Sequence, residues 1–345
     1  MSSSEAFVTV AGRRVRISSP EKVCYPAVGV TKLELAEYYV AVAEGLLRAL
    51  AGRPMALRRF PGGLDGGGSF YTKHAPKGLP DWVQTAEVTF PSGRTGREVC
   101  VTEPATALWA VQMNALELHP WPVRREDTDH PDELRLDLDP QPGTGFAEAV
   151  EAATEAQALL TEHGMVPFVK TSGGRGLHLL VRIEPRWSFI DARRAVIALA
   201  RELERRRPDL FTTSWWKEER GARIFADFNQ MARDRMLAAA YSTRAEPNAR
   251  VSMPVRWTDL PDVAPDDFTV RTVPALFASR GDAHESIDEA PATLDALLEM
   301  AERDAHDRGL GDLPYPPEFP KMPGEPKRVQ PSKARHAADQ GDSGG

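Results

Sequence analysis

The segment ELRLDLDP, Glu133 to Pro140, constrains the fold more than any other stretch. Charged and apolar residues alternate strictly along it and stop at a proline, the period of a β-strand with two different faces. Leu134, Leu136 and Leu138 share one face; Arg135, Asp137 and Asp139 share the other. The two aspartates stand two residues apart, a rise of ~6.6 Å. Carboxylates that close repel, and a divalent cation between them relieves the repulsion. A solvated polar face, with Asp139 opening an Asp-Pro turn, fits the same pattern, so the rest of the chain must decide.

The flanking sequence predicts alternating helices and strands. Thr144 is placed to cap a helix over Phe146 to His163, with Gly164 just past its end. A strand over Val166 to Lys170 then turns through SGGRG into a second strand, LHLLVRI. Ser188 and Asp191 form a capping box for another helix, which ends in Arg205, Arg206 and Arg207, charges that complement the helix dipole. A further strand is predicted over Ala222 to Phe228. Upstream, Thr31 and Glu34 form a capping box for a helix to Ala51, followed by the glycine-rich loop PGGLDGGGSFYTKHAPKG. Ala290 to Asp307 reads as an acidic amphipathic helix. Beyond Pro320 the residues turn to Pro, Lys, Gly and Ser, which predicts a disordered tail over 321–345. A hairpin amid mixed elements favours α+β over a doubly wound parallel sheet.

With 345 residues and 41% apolar side chains, the chain can bury a substantial core in one large or two ordinary domains. The two cysteines, Cys24 and Cys100, have no CxxC spacing, so neither a disulfide framework nor a zinc knuckle is available. No signal-like N-terminus and no apolar run of membrane-spanning length occur, which predicts a cytosolic protein with no membrane partner. A formal charge of −7 argues against nucleic acid. The sign is uneven, however: residues 1–60 hold nine Lys/Arg against five Asp/Glu, whereas 281–308 hold two against nine.

Two further segments carry chemistry. In KTSGGRGLHLLVRI the glycines let backbone amides converge on an anion, Ser172 adds a hydroxyl, and Arg175 adds charge. His178 lies on the strand leaving that turn, on the face of Leu180 and Arg182. In RIFADFNQ, Asp227 interrupts an apolar strand and needs a cation or a dedicated donor; a salt bridge to Arg233 or Arg235 would also satisfy it. Three aspartates and a glycine-serine-histidine turn compose the parts of a two-metal phosphoryl-transfer site.

The order ELRLDLDP, TSGGRGLH, IFADFNQ and AYSTRA resembles the archaeo-eukaryotic primase superfamily, specifically the polymerase module of bacterial end-joining ligase D. The resemblance extends to ISSPEKVCYPAVGVTKLELAEYY, FYTKHAP, LELHPW and VSMPVRW, and so covers about residues 8 to 310. It implies a primase-polymerase fold, a mostly antiparallel RRM-like sheet flanked by helices with an N-terminal α/β part. The implied layout is one domain over 1–320: a DNA-end-binding part at 1–125, a catalytic core at 126–260 and a helical part at 261–320. It also implies that Asp137, Asp139 and Asp227 bind two Mg²⁺ or Mn²⁺ ions. Ser172, His178 and Arg244 would hold the triphosphate of an NTP or dNTP, beside the Arg175 charge already read from the turn, and His119 would lie near its sugar. Lys22 and Lys32 match a pair that holds a DNA 5′-phosphate; Phe70 and Tyr71 match aromatics that stack on template bases.

The implied activity is template-dependent gap filling and end extension in double-strand break repair, with a preference for ribonucleotides. Implied partners are gapped or broken DNA, a Ku-like end-bridging protein and a separate ligase, in a nucleoid-associated setting. Met231 and Met236 depart from the pattern by standing where polar residues are expected. No ligase lysine motif or histidine-rich nuclease segment follows, so a complete gene product of this length would be a stand-alone polymerase. Two other readings keep part of the evidence: a primase starting chains de novo, and a non-catalytic module recognising a 5′-phosphate.

Overall fold

The computed structural model describes residues 4–322 and residue 325; the predicted tail therefore lies, apart from Lys321, Met322 and Glu325, outside the described residues. The chain opens with a hairpin of β1 (Glu5–Val10) and β2 (Arg13–Ser18), then a short ribbon of β3 (Val23–Tyr25) and β4 (Val30–Thr31). The Thr31–Glu34 capping box starts α1 (Lys32–Ala41) as the sequence predicts. The helix does not run on to Ala51. It breaks at Val42, whose backbone leaves the helical region (φ −109°, ψ 15°), and α2 (Ala43–Leu50) follows. No glycine or proline marks the break, and both halves pack on Tyr241. Tyr38 and Tyr39 of α1 bind Tyr241 and Thr243, while Gly45 of α2 packs beneath the Tyr241 ring and Arg48 pairs with Asp282.

A five-stranded sheet follows, built from β5 (Pro54–Arg59), β6 (Phe70–Thr72), β7 (Gln84–Thr89), β8 (Thr95–Cys100) and β9 (Ala115–Pro120), with α3 (Ala105–Gln112) before β9. The second sheet has six strands: β10 (Glu133–Pro140), β11 (Pro167–Thr171), β12 (Leu177–Arg182), β13 (Phe211–Thr212), β14 (Ile224–Asp227) and β15 (Pro254–Val255). Their order is β13-β14-β10-β12-β11-β15, antiparallel except between β13 and β14. The α+β expectation holds.

Two helices cover the apolar face of this sheet: α4 (Phe146–Glu162) and α5 (Phe189–Arg206). Leu134, Leu136 and Leu138 pair across with Val181, Leu179 and Leu177, and all six are buried there. Four buried alanines of α4, at 149, 152, 153 and 156, let the helix approach closely. Its N-cap is Gly145 rather than Thr144, because the Thr144 hydroxyl turns back to the Gln141 carbonyl and the Gly145 amide binds Glu148. The Ser188–Asp191 box opens α5 as predicted, and Arg206 and Arg207 at its end pair with Glu162 and Glu151 of α4.

The remaining helices are α6 (Val273–Arg280) and α7 (Asp295–Arg308). The latter starts later than Ala290, because Ala292 bridges to Ile183 at the end of β12 instead. One apolar cluster contains residues from Val10 to Met300, so both sheets share a core. Among the described residues no helix is long and apolar enough to cross a membrane, and both cysteines are free and buried.

Candidate active site

The polar face of the second sheet is buried at Glu133, Arg135 and Asp137 and opens at Asp139, and its two ends are neutralised differently. At the Glu133 end, arginines do the work. Glu133 accepts from Arg135 at 2.8 Å and Arg182 at 2.7 Å, and Asp132 accepts from Arg53 at 2.6 Å. Burial alone would raise the Glu133 carboxyl; the surrounding guanidiniums hold it well below the usual range.

At the other end no arginine pairs with the aspartates among the described residues. Register puts Asp227 of β14, Asp137 of β10, His178 of β12 and Lys170 of β11 in one row across four strands. Asp139 lies two residues further along β10. Each of the three aspartates offers an oxygen within 4.8 Å of the other two. Burial, and then the neighbouring carboxylates, raise Asp137 well above the ordinary carboxylate range. Asp139 is raised by burial and by Asp227, and Asp227 by burial. Arg233 and Arg235, the alternative partners for Asp227, bind Asp129 and Glu318 instead. Gln230 reaches Asp227 at 3.1 Å and Asp137 at 3.4 Å, and Asp227 caps the turn at Asn229. Among the described residues the buried Asp137 Oδ1 has no hydrogen-bond partner within bonding geometry, and His178 Nε2 stands beside it at 3.4 Å. Three carboxylates with one bare oxygen, on a face where other buried acids have arginines, are the donor set of a hard divalent cation.

The SGGRG turn faces this cluster across a cleft of about 310 Å³ lined by His119, Asp137, Asp139, Ser172, Arg175, His178, Gln230, Met236 and Arg244, among others. The turn is tightly fitted. A Cβ on Gly176 would come within 2.4 Å of the Leu138 carbonyl, and one on Gly173, at φ +73°, within 2.3 Å of Arg244 Cγ. The amides do not fan out toward the cleft as expected: Gly174 and Gly176 both donate to Ser172 Oγ, at 3.0 and 3.2 Å. An oxygen that accepts twice keeps its own proton to give, so the turn presents the Ser172 hydroxyl as donor. Arg175 hydrogen-bonds the Pro140 carbonyl at 3.4 Å.

Two histidines line the cleft, each held by a buried group that sequence reading missed. His178 Nδ1 lies 2.7 Å from Lys170 Nζ, and Lys170 also donates to Ser252 at 2.6 Å. His178 Nε2 stands 3.4 Å from Asp137 Oδ1. A ring lone pair facing a carboxylate would be repelled, so Nε2 carries the proton and Nδ1 accepts from Lys170. Burial, then the charges of Lys170 and Arg244, push the imidazole pKa well down and keep it neutral. Burial, then Arg244, lowers Lys170 in the same way. His119 of β9 lies 2.9 Å from Glu117 Oε2. LELH places Glu117 two residues before His119, on the same strand face, a signal present in the sequence.

The other candidates form an outer ring. Tyr71 packs edge-on against His119 at 5.4 Å, and Phe70, its neighbour in β6, points the other way under Arg59. Both rings are about half exposed, unlike core aromatics. Lys32 is buried, donating to Ser18 and Gln112 oxygens, while Lys22 binds Asn114 Oδ1 at 3.1 Å and the Pro61 carbonyl. Burial and then the Lys22 charge push the Lys32 pKa down to about 8. Among the described residues neither lysine has a carboxylate in ion-pair range. Of the two methionines, Met231 is core, its sulfur facing the Arg135 amide, and only Met236 reaches the cleft.

Comparison with known proteins agrees with this geometry. The family model described as LigD, primase-polymerase domain, matches residues 31–284. The multifunctional non-homologous end joining protein LigD of Mycolicibacterium smegmatis is 32% identical over 322 residues, 92% of this chain and 41% of its own. Its namesake in Pseudomonas aeruginosa is 35% identical over 262 residues, 75% of this chain and 31% of its own. The chain thus spans well under half the length of these curated relatives. The polymerase domain of Mycobacterium tuberculosis ligase D, solved in complex with DNA, superposes with a TM-score of 0.76 at 31% identity, covering 81% of this chain and 99% of that one. A matched family model over most of the chain, a shared fold and an acidic cluster at the heart of the matched region lead to one conclusion: the chain belongs to the LigD primase-polymerase domain family.

Proposed function

We propose that the protein is a template-dependent nucleotidyltransferase that adds nucleotides to the 3′-hydroxyl of a DNA strand, filling gaps and extending broken ends. The observation that carries this reading is the clustering of Asp137, Asp139 and Asp227, the first buried, the third partly buried and Asp139 open to the cleft, facing the Ser172–Arg175 turn. Divalent cations held there, Mg²⁺ or Mn²⁺, would act as Lewis acids on the attacking and leaving oxygens. The chain's own groups supply the rest. Ser172, Arg175 and Arg244 present donors and positive charge to a triphosphate, and His178 presents Nε2–H beside Asp137. His119 lines the cleft with Tyr71 packed against it, and in this reading the pair would meet the sugar and base, with a sugar hydroxyl as the group His119 reads and ribonucleotides as preferred substrates. Lys22, with no carboxylate in ion-pair range among the described residues, suits a 5′-phosphate on the far side of a gap, and Lys32, whose three N–H donors are already given to Ser18 and Gln112, would add its charge from behind. Tyr71 and Phe70 offer exposed π-faces for template bases. Repair partners, a Ku-like bridging protein and a separate ligase, follow from the same reading.

Primer extension on a gapped duplex with a 5′-phosphate and Mn²⁺ tests it. The wild type extends the primer, and Asp137→Ala reduces the rate at least about 1,000-fold, the loss of roughly 4 kcal/mol of transition-state stabilisation. Equal rates would refute the catalytic reading. Product from a single-stranded template without a 3′-hydroxyl would favour a primase, and 5′-phosphate-dependent binding with no extension would favour a binding module.

A further inference from the structure

Glu117 is the most heavily used buried acid near the cleft, and no step of the reaction needs it directly. It is 1% exposed on β9. Its Oε1 accepts from the Ala245 amide at 2.8 Å and lies 3.2 Å from Arg244 Nε, near enough for an ion pair though off the hydrogen-bond line. Its Oε2 accepts from Arg58 at 3.2 Å and lies 2.9 Å from His119 Nε2. Arg58 in turn sits beneath Tyr71, 5.9 Å from the ring centroid. One carboxylate thus ties together two groups that line the cleft, His119 and Arg244, the Ala245 amide beside them and the arginine beneath Tyr71.

An ionised carboxylate only accepts hydrogen bonds. Burial favours the neutral acid, but the hydrogen bond from His119 and the charge of Arg244 hold Glu117 well below the usual carboxylate range. His119 Nε2 must therefore be the donor. Burial lowers the His119 pKa, against the pull of Glu117, so the ring is neutral and Nδ1 carries a lone pair. We infer that Glu117 is a specificity-determining positioning residue: by fixing His119 in the Nε2–H tautomer it presents an acceptor at Nδ1 that selects nucleotides whose sugar carries a 2′-hydroxyl donor. This rests on the polymerase reading and adds to it the residue that sets sugar choice and the direction of the hydrogen bond.

The direction is what makes the inference testable. A 2′-fluoro sugar keeps an electronegative acceptor at the same position but has no proton to give. An Nδ1 lone pair discriminates against it as it does against 2′-deoxy, whereas an Nδ1–H would tolerate it. Glu117→Gln should reverse the polarity. One of its terminal atoms becomes an NH₂, which must face either Ala245 N–H and Arg244 or His119 and Arg58. The backbone amide cannot change its role, and imidazole can, so the NH₂ turns to His119 and drives it to the Nδ1–H tautomer.

Single-nucleotide incorporation on the gapped duplex, with NTP, dNTP and 2′-fluoro-dNTP, measures this in the wild type and in Glu117→Gln. The wild type should prefer NTP over both analogues by about tenfold, the worth of one neutral hydrogen bond. In Glu117→Gln that preference should fall toward one, with dNTP use reduced less than NTP use. Nitrogen-15 NMR of the wild-type imidazoles should find His119 unprotonated at Nδ1, a readout that survives if the variant folds poorly. Wild-type use of 2′-fluoro-dNTP equal to NTP, a protonated Nδ1, or an equal loss for all three substrates in Glu117→Gln overturns the inference. Wild-type extension with none of them refutes the polymerase reading, and the inference falls with it.

Discussion

His119 and His178 face the same cleft from different sheets, and their buried partners have opposite chemistry. Behind His119 stands a carboxylate, which accepts from Nε2–H and leaves Nδ1 as the ring's lone-pair nitrogen. Behind His178 stands an amine, which fills Nδ1 and leaves Nε2–H pointing out beside Asp137. One ring is an acceptor suited to a hydroxyl; the other is a donor suited to a phosphate oxygen. Identical side chains acquire different functions because the tautomer is chosen by the atom behind the ring.

The contrast is broken most severely on the donor side. His178→Ala should lower kcat/KM for NTP and dNTP alike by about 100-fold, the scale of losing one donor preorganised for transition-state charge. Lys170→Met should act in the same direction and equally on both nucleotides, by about tenfold, because it leaves Nδ1 and the Ser252 hydroxyl without their buried donor. On the acceptor side the effect is smaller and selective: His119→Ala should lower NTP use about tenfold more than dNTP use. Single-nucleotide kinetics with both substrates checks all three. Equal ratios for His119→Ala and His178→Ala would remove the distinction.

Smallest is a pH effect outside both rings. Lys32, with its pKa pushed down to about 8, is charged at pH 7 and loses that charge as pH rises through 8. Preference for a 5′-phosphorylated over a 5′-hydroxyl gap should therefore shrink several-fold between pH 7 and pH 9, the phosphate remaining a dianion throughout. Comparing binding of the two ends at both pH values measures it, and a flat profile would remove Lys32 from that role.

What could be read from the sequence was what local periodicity and capping encode. Strict alternation in ELRLDLDP gave the strand and the shared face of its aspartates, and the Thr31 and Ser188 boxes gave two helix starts. The break at Val42 carries no local signal, and the contacts of the two halves, to Tyr241 and Asp282, are with residues 203 and 234 positions away. The partners of buried charges were hidden for the same reason. Lys170 reads as the end of an apolar strand until register places it opposite His178. The expectation that glycine amides face an anion failed because Ser172 lies within the turn and takes them itself. Glu117 could have been noticed from its spacing to His119, but its ties to Arg58, Arg244 and Ala245 needed three other segments in place.

The proposed activity depends on the three-aspartate row holding divalent cations, and Mn²⁺ paramagnetic resonance measures that without turnover. Titrating Mn²⁺ in the presence of NTP should show bound ion for the wild type and for His119→Ala, and its loss for Asp137→Asn. Equal Mn²⁺ occupancy in the wild type and Asp137→Asn would contradict the assignment of this row as the cation site.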